Sequence, residues 1–271
     1  MNGAPAPAIS AESPALAPPL KWAGGKRWLA PRLRPIFEAT GARRLVEPFV
    51  GGMAIALGLA PEAALLNDVN PHLINFYTHL RRGLVIGREL KNDRTFFLAQ
   101  RARFNDLIRS GKAASKEGAE LFYYLNRTGF NGLCRFNSAG QFNVPFGQYK
   151  KINYGRDFRL YAPLLRRWSF TCGDFESLDI ERGDFLYVDP PYDVEFTKYS
   201  KDGFTWEDQE RLVEWMARCR RPVVASNQAT PRIIRLYTRA GFSIQKVSAP
   251  RMIACNGSRT RAWEILAAKN V

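Results

Sequence analysis

An acid, two prolines and an aromatic, Asp189-Pro190-Pro191-Tyr192, close the apolar run Phe185-Leu186-Tyr187-Val188. Such a run reads as a buried strand of a parallel sheet, and the prolines stop it because neither offers an N–H to a ladder or a helix. Asp189 then stands at the carboxyl end of a strand, the edge where open α/β sheets bind ligands. The chain is held extended there with its carbonyls turned outward. A carboxylate, the unpaired carbonyl of Pro190 and the ring of Tyr192 converge, and that set suits chemistry at an exocyclic amino group. The lone pair of adenine N6 is delocalised into the ring, and two acceptors on its hydrogens draw the nitrogen towards tetrahedral geometry. Asp189 and the Pro190 carbonyl can be those acceptors, while Tyr192 can stack on a base that has left the duplex. The plainer reading is a rigid strand-to-loop turn with a surface tyrosine.

Several stretches must position this edge. Leu20-Lys21-Trp22-Ala23-Gly24-Gly25-Lys26 reads as a tight turn from which an ammonium can reach a carboxylate; it is no phosphate loop, because Arg27 stands where Ser or Thr would hold magnesium. Taken alone it is equally a surface turn. Arg44 to Phe49 predicts a strand, Gly51-Gly52 a turn, and Met53 to Ala60 a helix ended by Pro61, a start that suits a nucleotide-like cofactor. Ala64 to Asp68 predicts a second strand. Its terminal Asp68 lies 16 positions beyond Gly52, where doubly wound folds place an acid on ribose hydroxyls, although Asp-x-Asn-Pro also fits a helix cap. Later strands are expected at Trp168–Phe175 and Val223–Asn227, helices at Leu160–Arg167, from Thr205 with Asp208 as capping partner, and from Thr230-Pro231 to Gly241, and an antiparallel pair at Phe242–Val247 and Ala262–Ala268. Residues 193–204 read as a mobile loop over the site.

Between Arg81 and Arg159 lie sixteen basic and six acidic residues, so two-thirds of the chain's net charge of +15 falls in under a third of its 271 residues. That concentration marks a phosphate-facing module. The pattern is helical from His72 to about Glu120, with Leu73, Phe76, Tyr77 and Leu80 on one face; His72 and His79 are ordinary helix residues without a third ligand nearby. From Tyr123 to Asn137, and again from Gly140 to Lys151, aromatics alternate with Asn, Arg and Lys across glycine turns. This mixture suits a loop or ribbon that wedges a ring into a base stack and bonds base edges. A β-hairpin with a solvated basic face is the alternative.

A 46% hydrophobic content supports a sizeable core, and no apolar run approaches the length of a membrane span. Cys134, Cys172, Cys219 and Cys255 lie far apart, which fits neither zinc nor a disulfide framework, and predicts reduced thiols in a cytoplasmic protein. Residues 1–19, rich in Ala and Pro, read as a disordered leader rather than a secretory signal. The expected architecture is α/β: a leader at 1–19, a catalytic domain at 20–70 and 156–271, and a mainly helical insertion at 71–155 carrying a β-hairpin.

In order, Lys-Trp-Ala-Gly-Gly-Lys, Glu-Pro-Phe-Val-Gly-Gly, Leu-Asn-Asp-Val-Asn, Leu-Asn-Arg-Thr-Gly-Phe-Asn-Gly-Leu-Cys-Arg-Phe-Asn, Phe-Asn-Val-Pro-Phe-Gly and Asp-Pro-Pro-Tyr make the chain resemble the Dam-type, class alpha (D12) N6-adenine DNA methyltransferases from about Pro19 to Ala267. The resemblance implies a Rossmann-like sheet of the S-adenosylmethionine-dependent kind, with no metal. It implies that Trp22 and Lys26 hold the methionyl part of the cofactor, that Gly51 and Gly52 let backbone approach it, that Asp68 binds its ribose, and that Asp174 and Phe175 border its adenine beside Asp189. On double-stranded DNA it implies a GATC site: Lys21 on the first guanine, Arg135 bidentate to the guanine paired with the last cytosine, Leu133 and Pro145 on a thymine methyl, Asn131 on the orphaned thymine, Phe130 in the gap left by the flipped adenine, and Tyr149 in the same DNA surface. A nucleoid-associated enzyme follows, with a cognate restriction endonuclease as a partner in some settings.

Three residues depart from the family pattern. Phe130 stands where Tyr is usual, Gln148 where Arg is frequent, and Met53 where Gly or Ala is frequent, and none removes a catalytic group. Methylation of RNA or of cytosine N4, and DNA binding without catalysis, are the competing readings.

Overall fold

The computed structural model describes residues 16–192, 204–250 and 262–271. The expectations for residues 1–15, for nearly all of the 193–204 loop and for Cys255 lie outside them. Residues 16–19, at the end of the expected leader, make contacts with the rest of the chain: Leu16 packs on the core and the Tyr161 hydroxyl donates to the Ala17 carbonyl at 2.6 Å.

Seven strands form one sheet in the order β3-β2-β1-β4-β5-β7-β6, comprising β1 (Arg44–Glu47), β2 (Ala63–Asp68), β3 (Trp168–Cys172), β4 (Asp184–Val188), β5 (Val223–Gln228), β6 (Ser243–Ala249) and β7 (Ala262–Lys269). The first five are parallel, while β7 runs antiparallel to both β5 and β6. All five residues of β4 are buried, as its uninterrupted apolar run requires of a strand covered on both faces. Strand alternation splits the core in two. Leu45, Leu66, Phe185, Tyr187 and Val224 face one apolar cluster, and Val46, Leu65, Leu186, Val188 and Ala225 face the other.

Helices α1 (Ala30–Ala39) and α2 (Ala54–Leu59) pack together on the first side, and α7 (Trp206–Arg218) and α8 (Pro231–Arg239) on the second. Between β2 and β3 lie α3 (Pro71–Arg81), α4 (Arg94–Arg109), α5 (Lys116–Thr128) and the short α6 (Ala162–Leu165). No described helix is long and apolar enough to cross a membrane. The single helical stretch expected from His72 is thus three helices. Gly83, at φ 81°, turns the chain out of the first, and Asp93 and Ser115 cap the next two.

Helix α5 also runs further than the sequence pattern implied. Tyr123 to Thr128, expected to open the DNA-reading loop, are its last turns, because no glycine or proline interrupts the chain before Gly129 and Tyr123, Tyr124 and Leu125 are all core residues. The Tyr123 ring stacks on Phe76 of α3 at 5.9 Å. The hairpin beyond is rudimentary, with isolated bridges at Gly129–Phe146 and Phe136–Phe142.

Helix α7 starts from a full capping box, in which Thr205 Oγ1 accepts from Asp208 N at 3.2 Å and Asp208 Oδ2 from Thr205 N at 2.9 Å. Thr205→Ala is expected to lower stability by about 1 kcal/mol, measured as a lower urea midpoint at unchanged slope.

Candidate active site and nucleic-acid interface

Strand order brings the polar ends of five strands to one edge. Glu47 closes β1, Asp68 closes β2, Asp189 follows β4, Ser226 and Asn227 lie near the end of β5, and the antiparallel β7 delivers Glu264 to the same side. Lys26, 3% exposed, lies among them. Its Nζ is 3.1 Å from Asp189 Oδ1, 3.8 Å from Glu264 Oε2, 3.0 Å from the Gly24 carbonyl and 4.7 Å from the centre of the Tyr192 ring. A buried ammonium without such partners would be costly. The turn at Lys21–Lys26 is therefore no bare surface turn: it carries a cation to the acid-proline edge.

Asp189 also accepts from Ser226 Oγ at 2.7 Å, on the oxygen that faces Lys26. Burial above all, with the Asp189 and Glu264 charges, holds the Tyr192 phenol far above its ordinary range, so it is protonated at any working pH. Glu47 is fully enclosed, and burial, opposed by a bond from the Ala56 backbone, pushes its carboxyl well up. The residue after Tyr192 lies outside the described chain.

A second group forms around Trp22. A Cβ on Gly51 would come within 2.7 Å of Trp22 Nε1, and one on Gly52 within 2.8 Å of Trp22 Cβ, so the two glycines let the indole seat directly on the turn. Asp68 binds that turn through Oδ2, which accepts from Gly51 N at 3.1 Å, while Oδ1 accepts from Asn70 N at 3.0 Å. Asn70, not Asp68, caps α3. Each Asp68 oxygen has taken one backbone donor and keeps acceptor capacity for another, and burial raises its carboxyl. Met53, one of the three departures, adopts φ 59° at full burial, a left-handed conformation that glycine takes more easily.

Asp174 and Phe175 follow β3. Both Asp174 oxygens accept from Arg211 of α7 at 2.9 Å, a bond that holds the carboxyl below its usual value, and the guanidinium lies 4.4 Å from the Phe175 ring centre. Phe175 is buried, against Phe49.

The remaining candidates share the loop after α5. Asn126 binds Lys21 on both sides, Oδ1 accepting from its N–H at 2.9 Å and Nδ2 donating to its carbonyl at 2.8 Å. Gly132, at φ 63°, packs so closely that a Cβ would lie 2.3 Å from Lys21 Cβ. The Lys21 ammonium donates to the Arg127 carbonyl at 3.1 Å and sits 3.5 Å from the centre of the Tyr149 ring, whose hydroxyl donates to the Gly129 carbonyl at 3.0 Å. Phe130 is 41% exposed and donates its N–H to the Pro145 carbonyl at 2.9 Å. Asn131, at φ 52°, and Leu133 are half-buried beside it, and exposed Arg135 is steadied by Asn143 Oδ1 on its Nε at 2.8 Å. Lys21 and Tyr149 thus join the loop after α5, which also carries Phe130, Asn131, Leu133, Arg135 and Pro145.

Asn126, Ser226, Glu264 and Gln209 of α7 were not singled out by sequence. Their bonds join segments tens of residues apart, and no periodicity announces such pairs. For Ser226 and Glu264 the signal was a polar side chain inside a mainly apolar strand; Asn126 and Gln209, in helices rich in polar residues, gave none.

The sheet is mixed, five parallel strands extended by an antiparallel β7 that lies between β5 and β6. Residues 22–253 match the D12 class N6 adenine-specific DNA methyltransferase family, and the chain belongs to it. It is similar to the DNA adenine methylase of Vibrio cholerae serotype O1, with 37% identity over 92% of this chain and 94% of that protein. It is similar also to the Type II methyltransferase M1.LlaDCHI of Lactococcus lactis subsp. cremoris, at 35% over 93% and 94%. With the DNA N-6-adenine-methyltransferase of Escherichia phage P1 it shares 36% identity over 91% of this chain, which spans 34% of the phage protein. The chain is a DNA adenine methyltransferase.

Burial, then the nearby Arg127 charge, lowers the Lys21 ammonium to about 8. Its side-chain resonances are expected to titrate near that pH, and Arg127→Gln to move the midpoint upward; a wild-type midpoint in the ordinary lysine range would refute this setting.

Proposed function

We propose that this enzyme methylates N6 of an adenine flipped out of double-stranded DNA, within GATC, and that Asp189, Pro190 and Tyr192 form its catalytic group. The observation that carries the reading is the tethered carboxylate: Lys26 and Ser226 both engage Asp189 Oδ1, and among the described residues nothing donates to Oδ2. Oδ2 and the Pro190 carbonyl then accept the two amino hydrogens of the base. The nitrogen pyramidalises, its lone pair becomes available, and Asp189 draws off the proton that it sheds. Tyr192, held protonated and with the Lys26 ammonium 4.7 Å from its ring centre, offers a face on which the base stacks.

S-adenosylmethionine, the methyl source that the family membership implies, would supply an electrophilic methyl on a sulfonium. The edge suits a cation, because Asp68, Asp189 and Glu264 surround it with Lys26 as the ammonium among them. Trp22 and Lys26 are proposed to hold the methionyl part, Gly51 and Gly52 to line it with backbone, Asp68 to take the ribose through its spare acceptor capacity, and Asp174 with Phe175 to border the adenine. For DNA, Lys21 and Arg135 are the guanine readers, Leu133 and Pro145 contact a thymine methyl, Asn131 meets the orphaned thymine, Phe130 fills the vacated stack, and Tyr149 supports Lys21. The insertion at 71–155 is proposed as the recognition domain on a catalytic domain at 20–70 and 156–271. A nucleoid setting follows from the substrate, and the Type II name of the Lactococcus lactis relative makes a cognate restriction endonuclease a partner to look for.

Asp189→Ala is expected to slow methyl transfer by at least about 10²-fold and, because it takes the nearest carboxylate from the buried Lys26, to lower the melting temperature as well; appreciable turnover per folded molecule would remove Asp189 from the chemistry. Arg135→Ala is expected to relax discrimination at the last base pair by about 1–3 kcal/mol. The measurement is kcat/KM on GATC duplexes against single-base variants, and undiminished preference would reassign the reader.

A further inference from the structure

Two side-chain relays start from consecutive residues of β5 and end on the two sides of the Asp189-Pro190-Pro191 corner. In the parallel register Val188 is level with Ala225, so the next residues, Asp189 and Ser226, are neighbours. Ser226 is fully buried, and its hydroxyl donates to Asp189 Oδ1 at 2.7 Å. Tyr187, two residues before Asp189 and so on the same strand face, places its own hydroxyl 2.8 Å from Ser226 Oγ. A serine has one proton, and Ser226 has committed it to the carboxylate, so Tyr187 must be the donor in that pair. Burial first, then the Asp189 charge, holds the Tyr187 phenol well above its ordinary range, consistent with a permanent donor. The relay runs one way, from Tyr187 to Ser226 to Asp189.

The second relay is equally directional. The Gln228 N–H donates to Asn227 Oδ1 at 2.8 Å, which turns Asn227 Nδ2 to Gln209 Oε1 at 3.0 Å, which in turn aims Gln209 Nε2 at the Pro191 carbonyl at 2.8 Å. A backbone N–H can only donate and a proline carbonyl can only accept, so both amides are fixed in one orientation. Asn227 and Gln209 are fully buried, where an unpaired amide would be costly.

We propose that Ser226, with Tyr187 behind it, and Asn227, acting through Gln209, are positioning residues that fix the Asp189 carboxylate and the Pro190-Pro191 peptides before substrate arrives. Serine and Lys26 occupy Oδ1 and so reserve Oδ2 for an amino hydrogen. The amide relay pins the peptide that follows the Pro190 carbonyl. Neither β5 residue touches the base; each removes a rotation that the reacting groups would otherwise have to lose in the transition state. The inference rests on the catalytic role given above to Asp189.

The test is single-turnover methyl transfer from radiolabelled S-adenosylmethionine to unmethylated plasmid DNA, with wild type, Asp189→Asn, Ser226→Ala, Tyr187→Phe, the Tyr187→Phe/Ser226→Ala pair and Gln209→Met side by side. Ser226→Ala is expected to slow the transfer step roughly 10- to 100-fold while cofactor and DNA dissociation constants stay within about twofold of wild type. Tyr187→Phe, which keeps the serine bond, should fall between the two. The double variant should be no slower than Ser226→Ala, because the tyrosine acts only through the serine. Gln209→Met, similar in volume but without a donor, should lose rate in the same selective way. A Ser226→Ala rate equal to wild type would overturn the proposal, as would a loss of rate that merely tracks lost binding or lost folding. If Asp189→Asn itself turns over normally, the reading of the catalytic group fails instead, whatever Ser226→Ala does.

Discussion

The structure depends on one buried cation. Lys26 links the turn at its own position to the ends of β4 and β7, and the cost of burying an ammonium is offset only while Asp189, Glu264 and the Gly24 carbonyl all stay within reach. Asp189 and Glu264 come from segments brought together only when the sheet is complete. Among the acids of this edge, the enclosed Glu47 is driven towards its neutral form. The charge balance is then local: Lys26 faces Asp189 and Glu264 without a third buried carboxylate competing for it. An edge arranged in this way keeps a net negative field for a positively charged cofactor, and the central place of β4, paired to β1 on one side and β5 on the other, gives that field a rigid support.

Glycine has one decisive use at this edge. The indole of Trp22 lies on the Gly51-Gly52 turn at distances that leave no room for a Cβ, so the Lys21–Lys26 segment is clamped to the turn after β1 and, through Asn126, to the end of α5. Cofactor-side and DNA-side candidates therefore sit on one continuous segment.

Much of this was legible in the sequence. The uninterrupted apolar run ending in Asp-Pro-Pro announced β4 and the place where it stops, Asp68 announced the end of β2, and Thr205 with Asp208 announced α7, because each depends on residues close in sequence. Asp68 was ambiguous between ligand and cap until Asn70 proved to hold the cap. Tyr123 to Thr128 misled, since alternating aromatic and polar residues suit a reading loop as well as a helix buried on several sides; only the packing of α5 against α3 and α4 decides between them. Ser226, Asn227 and Gln209 were silent for a related reason. A polar residue near the end of an apolar strand is common, and what singles these out is the strand register and α7 lying alongside.

The loop that carries the DNA candidates shows how recognition and folding are kept apart. It has little ladder of its own, and its shape is imposed by side chains of the helices beneath: Arg101 donates to the Val144 carbonyl at 3.0 Å, and Asn105 both donates to the Phe142 carbonyl and accepts from its N–H, at 3.1 and 2.8 Å. Phe142 and Val144 point into the core, while Phe130, Arg135 and Pro145 stay exposed. Arg101, Asn105, Phe142 and Val144, which hold the loop, are not among the candidates for base contact, whereas Lys21 and Tyr149 belong to both sets. Phe130 and Gln148, two of the departures from the family pattern, are both exposed, so under the proposed reading either change would fall on affinity for DNA and leave the backbone in place.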